Sequence, residues 1–367
     1  MKRPVPAGLA HLAAELLALA DAGLLRERPP LHRAGGVSFC SNDYLGLAWR
    51  GKGAALGAGA SRLVSGEHAE HVALERALSR WLRTDATLVF TSGYAANVGA
   101  LSALAGPADL IVSDELNHAS IVDGCRLSRA TVRVVPHLNV GAVRAALGAG
   151  SFARRWVVTE SYFSMDADSP DLLELRQACD ERGAALVVDE AHALGVLGPD
   201  GRGLCAAAGV VPDVLVGTFG KALGGGGAFV AGTADLVAWL WNRARSFVFS
   251  TGVSPLLAAE VLVALSEVEA RADLRRVTLE RAEQLRAGLL ALGLRPLGHG
   301  HIVPLVLGES AAAVALAERL RPLGFAVQPI RPPSVPAGTA RIRLTASAHQ
   351  RPEDVTSLLR ALASVLR

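Results

Sequence analysis

"VLVGTFGKALGGGGAFV", residues 214–230, places one lysine and four consecutive glycines between two apolar runs. The runs "DVLVGT" (213–218) and "GAFVAG" (227–232) are short and apolar throughout. That predicts strands buried on both faces. Lys221 then stands just beyond a strand end, on a loop whose glycines carry a large backbone-entropy cost. Working outward, further β-rich runs occur at "ATLVF" (86–90), "DLIVS" (109–113), "TVRVV" (131–135), "RRWVVTE" (154–160) and "ALVVDE" (185–190), with helix-like segments between them. Strands alternating with helices predict an α/β fold with a mostly parallel sheet covered on both faces. In such sheets ligands gather beyond the carboxyl ends of the strands.

After about residue 255 the pattern changes. The stretch "LLAAEVLVALSEVEARADLRRVTLERAEQLRAGLLALG" has the i, i+3, i+4 apolar spacing of one long helix. Strand-like "HIVPLVLG" and "ARIRLTAS" follow, with helices at "AAAVALAERLRPLG" and "PEDVTSLLRALASVL". The expected organisation is an N-terminal helix and extended segment (1–50), a large α/β domain (51–255) and a smaller α+β domain (256–367). "PIRPPSVPAG" (329–338) reads as a stiff loop.

Composition bounds the function. The chain has 367 residues, half of them hydrophobic, and a net charge of only +3. A sizeable core is affordable, and no basic tract points to nucleic acid. Cysteines at 40, 125, 179 and 205 have no CxxC spacing, so reduced thiols in a cytoplasmic protein are expected. His11, Glu15 and Asp21 interrupt the apolar-leaning N-terminus, which reads as an amphipathic helix rather than a signal segment. No apolar run is long enough for a membrane span.

The polar residues at the strand ends form an unusual set. Ser92, Gly93 and Tyr94 open a helix after 86–90. His118 follows 109–113, Glu160 and Ser164 follow or end 154–160, Asp189 and His192 follow or end 185–190, and Thr218 precedes Lys221. Together they offer an amine, an anion, a stacking ring and donors for a phosphate, which suits pyridoxal phosphate. Lys221 fits a covalent link to the aldehyde. Asp189 fits the ring nitrogen, whose protonation makes the ring an electron sink. His192 would reach the ring hydroxyl, and His118 would stack. The Gly93 and Tyr94 N–H groups, at a helix start, fit the phosphate, and Thr218 can donate to it. The glycines at 224–227 are then expected to let backbone pack around the cofactor.

Competing motifs are weaker. "LGAGASR" (56–62) lacks the third glycine of a dinucleotide site. "HAEH" (68–71) lacks further ligands for a metal and is expected to be solvated helix or substrate loop. No G-x-S-x-G elbow occurs. His299 and His301 simply flank a strand.

The chain resembles the α-oxoamine synthases, aminotransferase-like pyridoxal-phosphate enzymes of fold type I, almost end to end. The resemblance is carried by "FCSNDYLGLA" (39–48), "ASRLVSGEHAEHVALE" (60–75), "FTSGYAAN" (90–97), "DELNHASIVDG" (114–124), "VVTESYFSMDADSPDL" (157–172), "VVDEAHALGVLGPDGRG" (187–203), "GTFGKALG" (217–224) and "FVFSTGVSP" (247–255). "ASRLVSGEH" and "IRPPSVPAGTARIRLTASAH" (330–349) are most similar to the branch that joins L-alanine to a pimeloyl thioester, on CoA or acyl carrier protein. The resemblance implies a homodimer with shared active sites. Lys221, Asp189, His192 and His118 would be catalytic. Ser92, Gly93, Tyr94, Glu160, Ser164 and Thr218 would hold the cofactor, and Ser250 and Thr251 would reach the phosphate of the neighbouring subunit. Arg343 would clamp the alanine carboxylate, with Asn42 nearby, and Arg26 would touch the acyl substrate. Three departures stand out: Ala60 where glycine is commoner, an unusually glycine-rich 224–227, and Tyr94 where phenylalanine is frequent. Tyr94 would put an extra hydroxyl by the phosphate end.

Overall fold

The computed structural model describes residues 56–366, together with residues 18, 20–23 and 45 and the backbone of 37–38. Arg26, Asn42, Cys40 and most of the 1–50 segment lie outside the described residues.

The strand runs form one seven-stranded sheet. Its strands are β1 (Ala86–Phe90), β2 (Leu110–Asp114), β3 (Thr131–Val135), β4 (Arg155–Glu160), β5 (Ala185–Asp189), β6 (Val214–Thr218) and β7 (Ala228–Gly232). They lie in the order β1-β7-β6-β5-β4-β2-β3. β6, β5, β4, β2 and β3 pair in parallel, whereas β7 runs antiparallel to both β1 and β6. β1 and the five-strand block therefore point the same way, and their carboxyl ends share one edge.

Alternate residues of these strands face opposite layers. Leu88, Phe90, Ile111, Val158 and Val187 pack with α2 (Gly93–Leu104), α3 (Ala119–Ser128) and α7 (Ala234–Arg243). Leu110, Val112, Val157, Leu186 and Val188 pack on the other side with α4 (Val140–Gly148) and α5 (Leu172–Asp180). That second face is completed near β1, β6 and β7 by Leu74 and Leu78 of α1 (Ala69–Leu82). A short α6 (Gly203–Ala207) and α8 (Arg245–Val248) complete the elements up to residue 254.

The long helical stretch is two helices. α9 (Pro255–Ala270) ends where Arg271 leaves helical geometry at φ −107°, ψ 66°, and α10 (Ala272–Ala291) follows. The buried face of α9, including Ala258, Val261, Ala264 and Val268, shares a core with Leu74, Leu78, Leu215 and Phe229 of the large domain. α10 stays on the same core through Leu274 and Leu279. Beyond it, β8 (Ile302–Gly308), β9 (Gln328–Ile330) and β10 (Ala340–Thr345) form an antiparallel sheet in the order β9-β10-β8. It packs on α10, α11 (Ser310–Leu320) and α12 (Pro352–Val365) through Leu285, Leu305, Leu316, Ile342, Leu344 and Leu358.

The glycine run packs closely against α9. A Cβ on Gly225 would lie 2.3 Å from Val261 Cγ2, and one on Gly226 would lie 2.9 Å from Leu257 Cδ2. Gly227 has φ +101° and would meet the Phe90 carbonyl at 2.9 Å. The loop needs glycine because α9 presses against its outer side; the Lys221 carbonyl and Gly224 N–H close its turn. Gly225→Ala should therefore lower stability by about 1–3 kcal/mol through overpacking. Val261→Ala added to it should recover part of that loss. Equilibrium denaturation checks both, and an unperturbed Gly225→Ala would contradict the packing argument.

Candidate active site

Because six strands end on one edge, residues far apart in sequence converge there. Glu160 and Asp189 are register partners on β4 and β5, and Asp189 is opposite Val216 on β6. Asp189 is buried. Its Oδ2 accepts from Asn97 Nδ2 at 2.7 Å and its Oδ1 from the Ala191 N–H at 2.8 Å. Asn97 lies one turn into α2, on its buried side. Asn97 stands within "FTSGYAAN" with no role expected of it from the sequence. Its signal was position: five residues after the helix cap, it turns inward toward the sheet.

The second amide hydrogen of Asn97 goes to Ser120 Oγ at 3.0 Å. His118 is the N-cap of α3, and its Nδ1 accepts the Ser120 N–H at 3.2 Å. With Asn97 donating to it, Ser120 Oγ turns its own hydrogen to His118 Nδ1, 2.7 Å away. That atom therefore accepts, and the neutral ring carries its proton on Nε2. Burial lowers the His118 pKa in the same direction. The His118 N–H donates to Glu160 Oε1 at 2.8 Å. Burial and the Asp189 charge push the Glu160 carboxyl up. His192 is buried and held well below the usual histidine range, first by desolvation and then by Lys221.

Lys221 follows β6 and is half-buried. Burial pushes its amine down to about 8, against the opposing pull of Asp189 and Glu160 and with help from Arg343. Among the described residues the amine makes no hydrogen bond or ion pair within 4 Å. On the other side of β6, Thr218 Oγ1 donates to the Gly227 carbonyl and accepts from the Gly220 N–H. It faces Gly93, where an added Cβ would lie 3.9 Å from Thr218 Oγ1. Ser92 caps α2 by accepting from Ala95 N–H. The Gly93 and Tyr94 N–H groups belong to the first turn, which has no intrahelical acceptors.

Some expectations change. The Tyr94 hydroxyl donates to Asp123 Oδ2 on α3 at 2.6 Å. Ser164 meets the neighbouring arginine through its backbone: its carbonyl accepts from Arg343 Nε at 2.7 Å. His71, expected to be solvated, is buried and bonds the Val253 carbonyl through Nε2 at 2.7 Å. That contact anchors the loop carrying Ser250 and Thr251. Arg62, missed in the sequence, is buried too, paired with Glu67 and Glu75 and stacked near Trp241 and Phe247. Ser61 Oγ donates to the Val248 carbonyl and Gly252 N–H to the Ala60 carbonyl, so "ASRLVSGEH" braces the same loop. On this loop Ser250 is half-buried and Thr251 is exposed, beside exposed Phe249. His301 is buried at the start of the small sheet, where its pKa is lowered by burial and by Arg343.

The chain matches the aminotransferase class I and II family over residues 34–362. It is 45% identical to 8-amino-7-oxononanoate synthase of Anaeromyxobacter dehalogenans (strain 2CP-1 / ATCC BAA-258), covering 97% of this chain and 95% of the relative. The chain belongs to the 8-amino-7-oxononanoate synthase family. A second member, from Marinobacter nauticus, is 45% identical over 89% of this chain and 86% of its own. Among solved structures, Sphingomonas wittichii serine palmitoyltransferase superposes with a TM-score of 0.89 at 28% identity, covering 99% and 98% of the two chains. The S. paucimobilis enzyme, solved with a bound PLP–myriocin adduct, gives 0.89 at 27% over 99% and 98%. 8-Amino-7-oxononanoate synthase from Francisella tularensis shares the fold at a TM-score of 0.77 and 24% identity, over 91% and 98%. No helix among the described residues is long and apolar enough to cross a membrane.

With no cofactor bound, Lys221 should titrate near 8 rather than near 10.5. Asp189→Asn removes a charge that stabilises the ammonium, so it should lower that value further. Site-specific amine labelling against pH, read by mass spectrometry, checks both. A Lys221 that reacts like a surface lysine would contradict the site as described.

Proposed function

We propose that the chain is a pyridoxal-phosphate-dependent acyltransferase that condenses L-alanine with a pimeloyl thioester. The products are 8-amino-7-oxononanoate, carbon dioxide and the free thiol carrier. The observation that carries this reading is a partly buried amine, Lys221, with no bonded partner among the described residues, near a carboxylate, Asp189, locked in place by Asn97 and Ala191. An amine for the aldehyde and a fixed anion for the ring nitrogen are the two groups the cofactor requires. The first turn of α2 and Thr218 flank a place for its phosphate.

When bound, the cofactor supplies a protonated ring that takes up the electron pair left on the amino acid's α-carbon. The protein's own groups do the rest. Arg343 binds the carboxylate and so sets which α-carbon bond stands toward the ring. Lys221, its pKa depressed, removes the α-proton and returns a proton later. Asp189 keeps the ring nitrogen protonated, His118 presents its neutral ring over the site, and His192 offers an uncharged imidazole for the ring oxygen. In the balance of bonds, the α-carbon joins the acyl carbonyl carbon and the carbon–sulfur bond breaks. The bond to the alanine carboxylate then breaks with loss of carbon dioxide.

A cavity of about 430 Å³ lies beside Ser164, between Phe163, Met165 and residues 332–337, and gives space for the acyl portion near Arg343. We read the assembly as a cytoplasmic homodimer, with Ser250 and Thr251 serving the partner's phosphate, and Arg26 and Asn42 completing the substrate site. Incubation with L-alanine, glycine or L-serine, and with pimeloyl-CoA or pimeloyl carrier protein, should give a product of the 8-amino-7-oxononanoate mass from alanine alone. Lys221→Ala should abolish turnover, and Arg343→Ala should raise KM for alanine. Condensation of serine or glycine in preference to alanine would defeat the substrate assignment.

A further inference from the structure

His137 follows β3 and has no part in the chemistry above, yet both its ring nitrogens are engaged. Nδ1 lies 2.8 Å from Asp114 Oδ1, and Nε2 lies 3.2 Å from Asp168 Oδ2. With a carboxylate on each side, both nitrogens donate. Asp114, at the end of β2, is itself fixed by the Leu116 and Leu138 N–H groups. The ring edge also meets the face of Phe163 at 4.5 Å and 88°.

Asp168 and Phe163 are the two ends of one turn. The Phe163 N–H donates to the Asp168 carbonyl, and the Ala167 N–H donates to the Phe163 carbonyl. This turn is where the small domain's arginines dock. The Ser164 carbonyl accepts from Arg343, while the Met165 carbonyl and Asp166 accept from Arg341 at 2.8 and 2.6 Å. Both arginines are buried on one side of β10, because Ile342 and Leu344 between and beyond them face the small domain's core.

We propose that His137 is a positioning residue for the carboxylate clamp: bridged between Asp114 and Asp168, it fixes the 163–168 turn on which Arg343 rests. This rests on the carboxylate role given to Arg343 above. Loss of the bridge lets the turn shift against β2, and the guanidinium moves with it. Arg343 then meets the amino acid out of place while Lys221 and Asp189 stay where they are.

The test uses holoenzyme variants titrated with L-alanine, glycine and L-serine, with affinity read from the cofactor's absorbance rather than from turnover. His137→Ala and Asp168→Ala should each bind the preferred amino acid about tenfold or more weakly, since a misaligned hydrogen bond to a charged group forfeits about that much affinity. The cofactor's absorbance before any amino acid is added should match wild type, because Lys221 and Asp189 stay in place. Asp168→Asn keeps an oxygen acceptor for the imidazole N–H and should bind close to wild type. Unchanged amino-acid affinity in the alanine variants, or an altered cofactor absorbance before any amino acid is added, overturns the proposal. If His137→Ala does not fold, Asp168→Ala, at the more exposed partner, decides alone. A wild-type protein that binds glycine or serine but not alanine defeats the alanine assignment, and the His137 proposal is then judged on the amino acid that binds.

Discussion

Asp189 places a carboxylate at a buried strand end, where a charge without donors costs several kcal/mol or more. Meeting that demand organises its surroundings. Asn97 must turn inward from α2, which fixes where that helix begins and hence where the Gly93 and Tyr94 N–H groups emerge. The other amide hydrogen of Asn97 ties Ser120, and through it His118, to the same network. One carboxylate thereby sets the register of two helix starts, and its charge reaches the lysine beyond β6.

The lysine is controlled from the opposite direction. Its loop is compressed between β6 and α9, so close that side chains at 225 and 226 would collide with Val261 and Leu257. The run of glycines thus serves rigidity. A confined loop holds the amine where desolvation keeps it nearer to neutral than a surface lysine.

The third requirement is to bring a small-domain strand into contact with the large-domain site. The two-residue period of β10 meets it: Ile342 and Leu344 fill the small core, and Arg341 and Arg343 face the 163–168 turn. The arginines saturate backbone carbonyls there, so the seam between the bodies is polar and geometrically specific. The brace of Arg62, Glu67 and Glu75, which also takes the Val89 N–H, does comparable work for the loop carrying Ser250 and Thr251.

Apart from edge strand β3, which carries Arg133 and exposes Val134, the strands of the large sheet were legible because each is a mainly apolar run with a single satisfactory environment, a sheet covered on both sides. Lys221, Asp189, His192, His118 and Thr218 were legible because the polar residue ending such a run has one place to go, the shared edge. The break at Arg271, the reversed direction of β7, the burial of His71 and Arg62 and the purpose of the glycines were not. Each depends on which element lies alongside, and neither periodicity nor residue type records that. Asn97 shows the division most plainly. Its helix was foreseeable from Ser92 and the residues after it, but its role arises only when β5 delivers Asp189 beside it from 92 positions away. Local composition therefore determined the strands, the helix starts and the chemical inventory at their ends. The tertiary structure alone decided who partners whom, because a hydrogen bond between distant residues is a fact of packing rather than of local sequence.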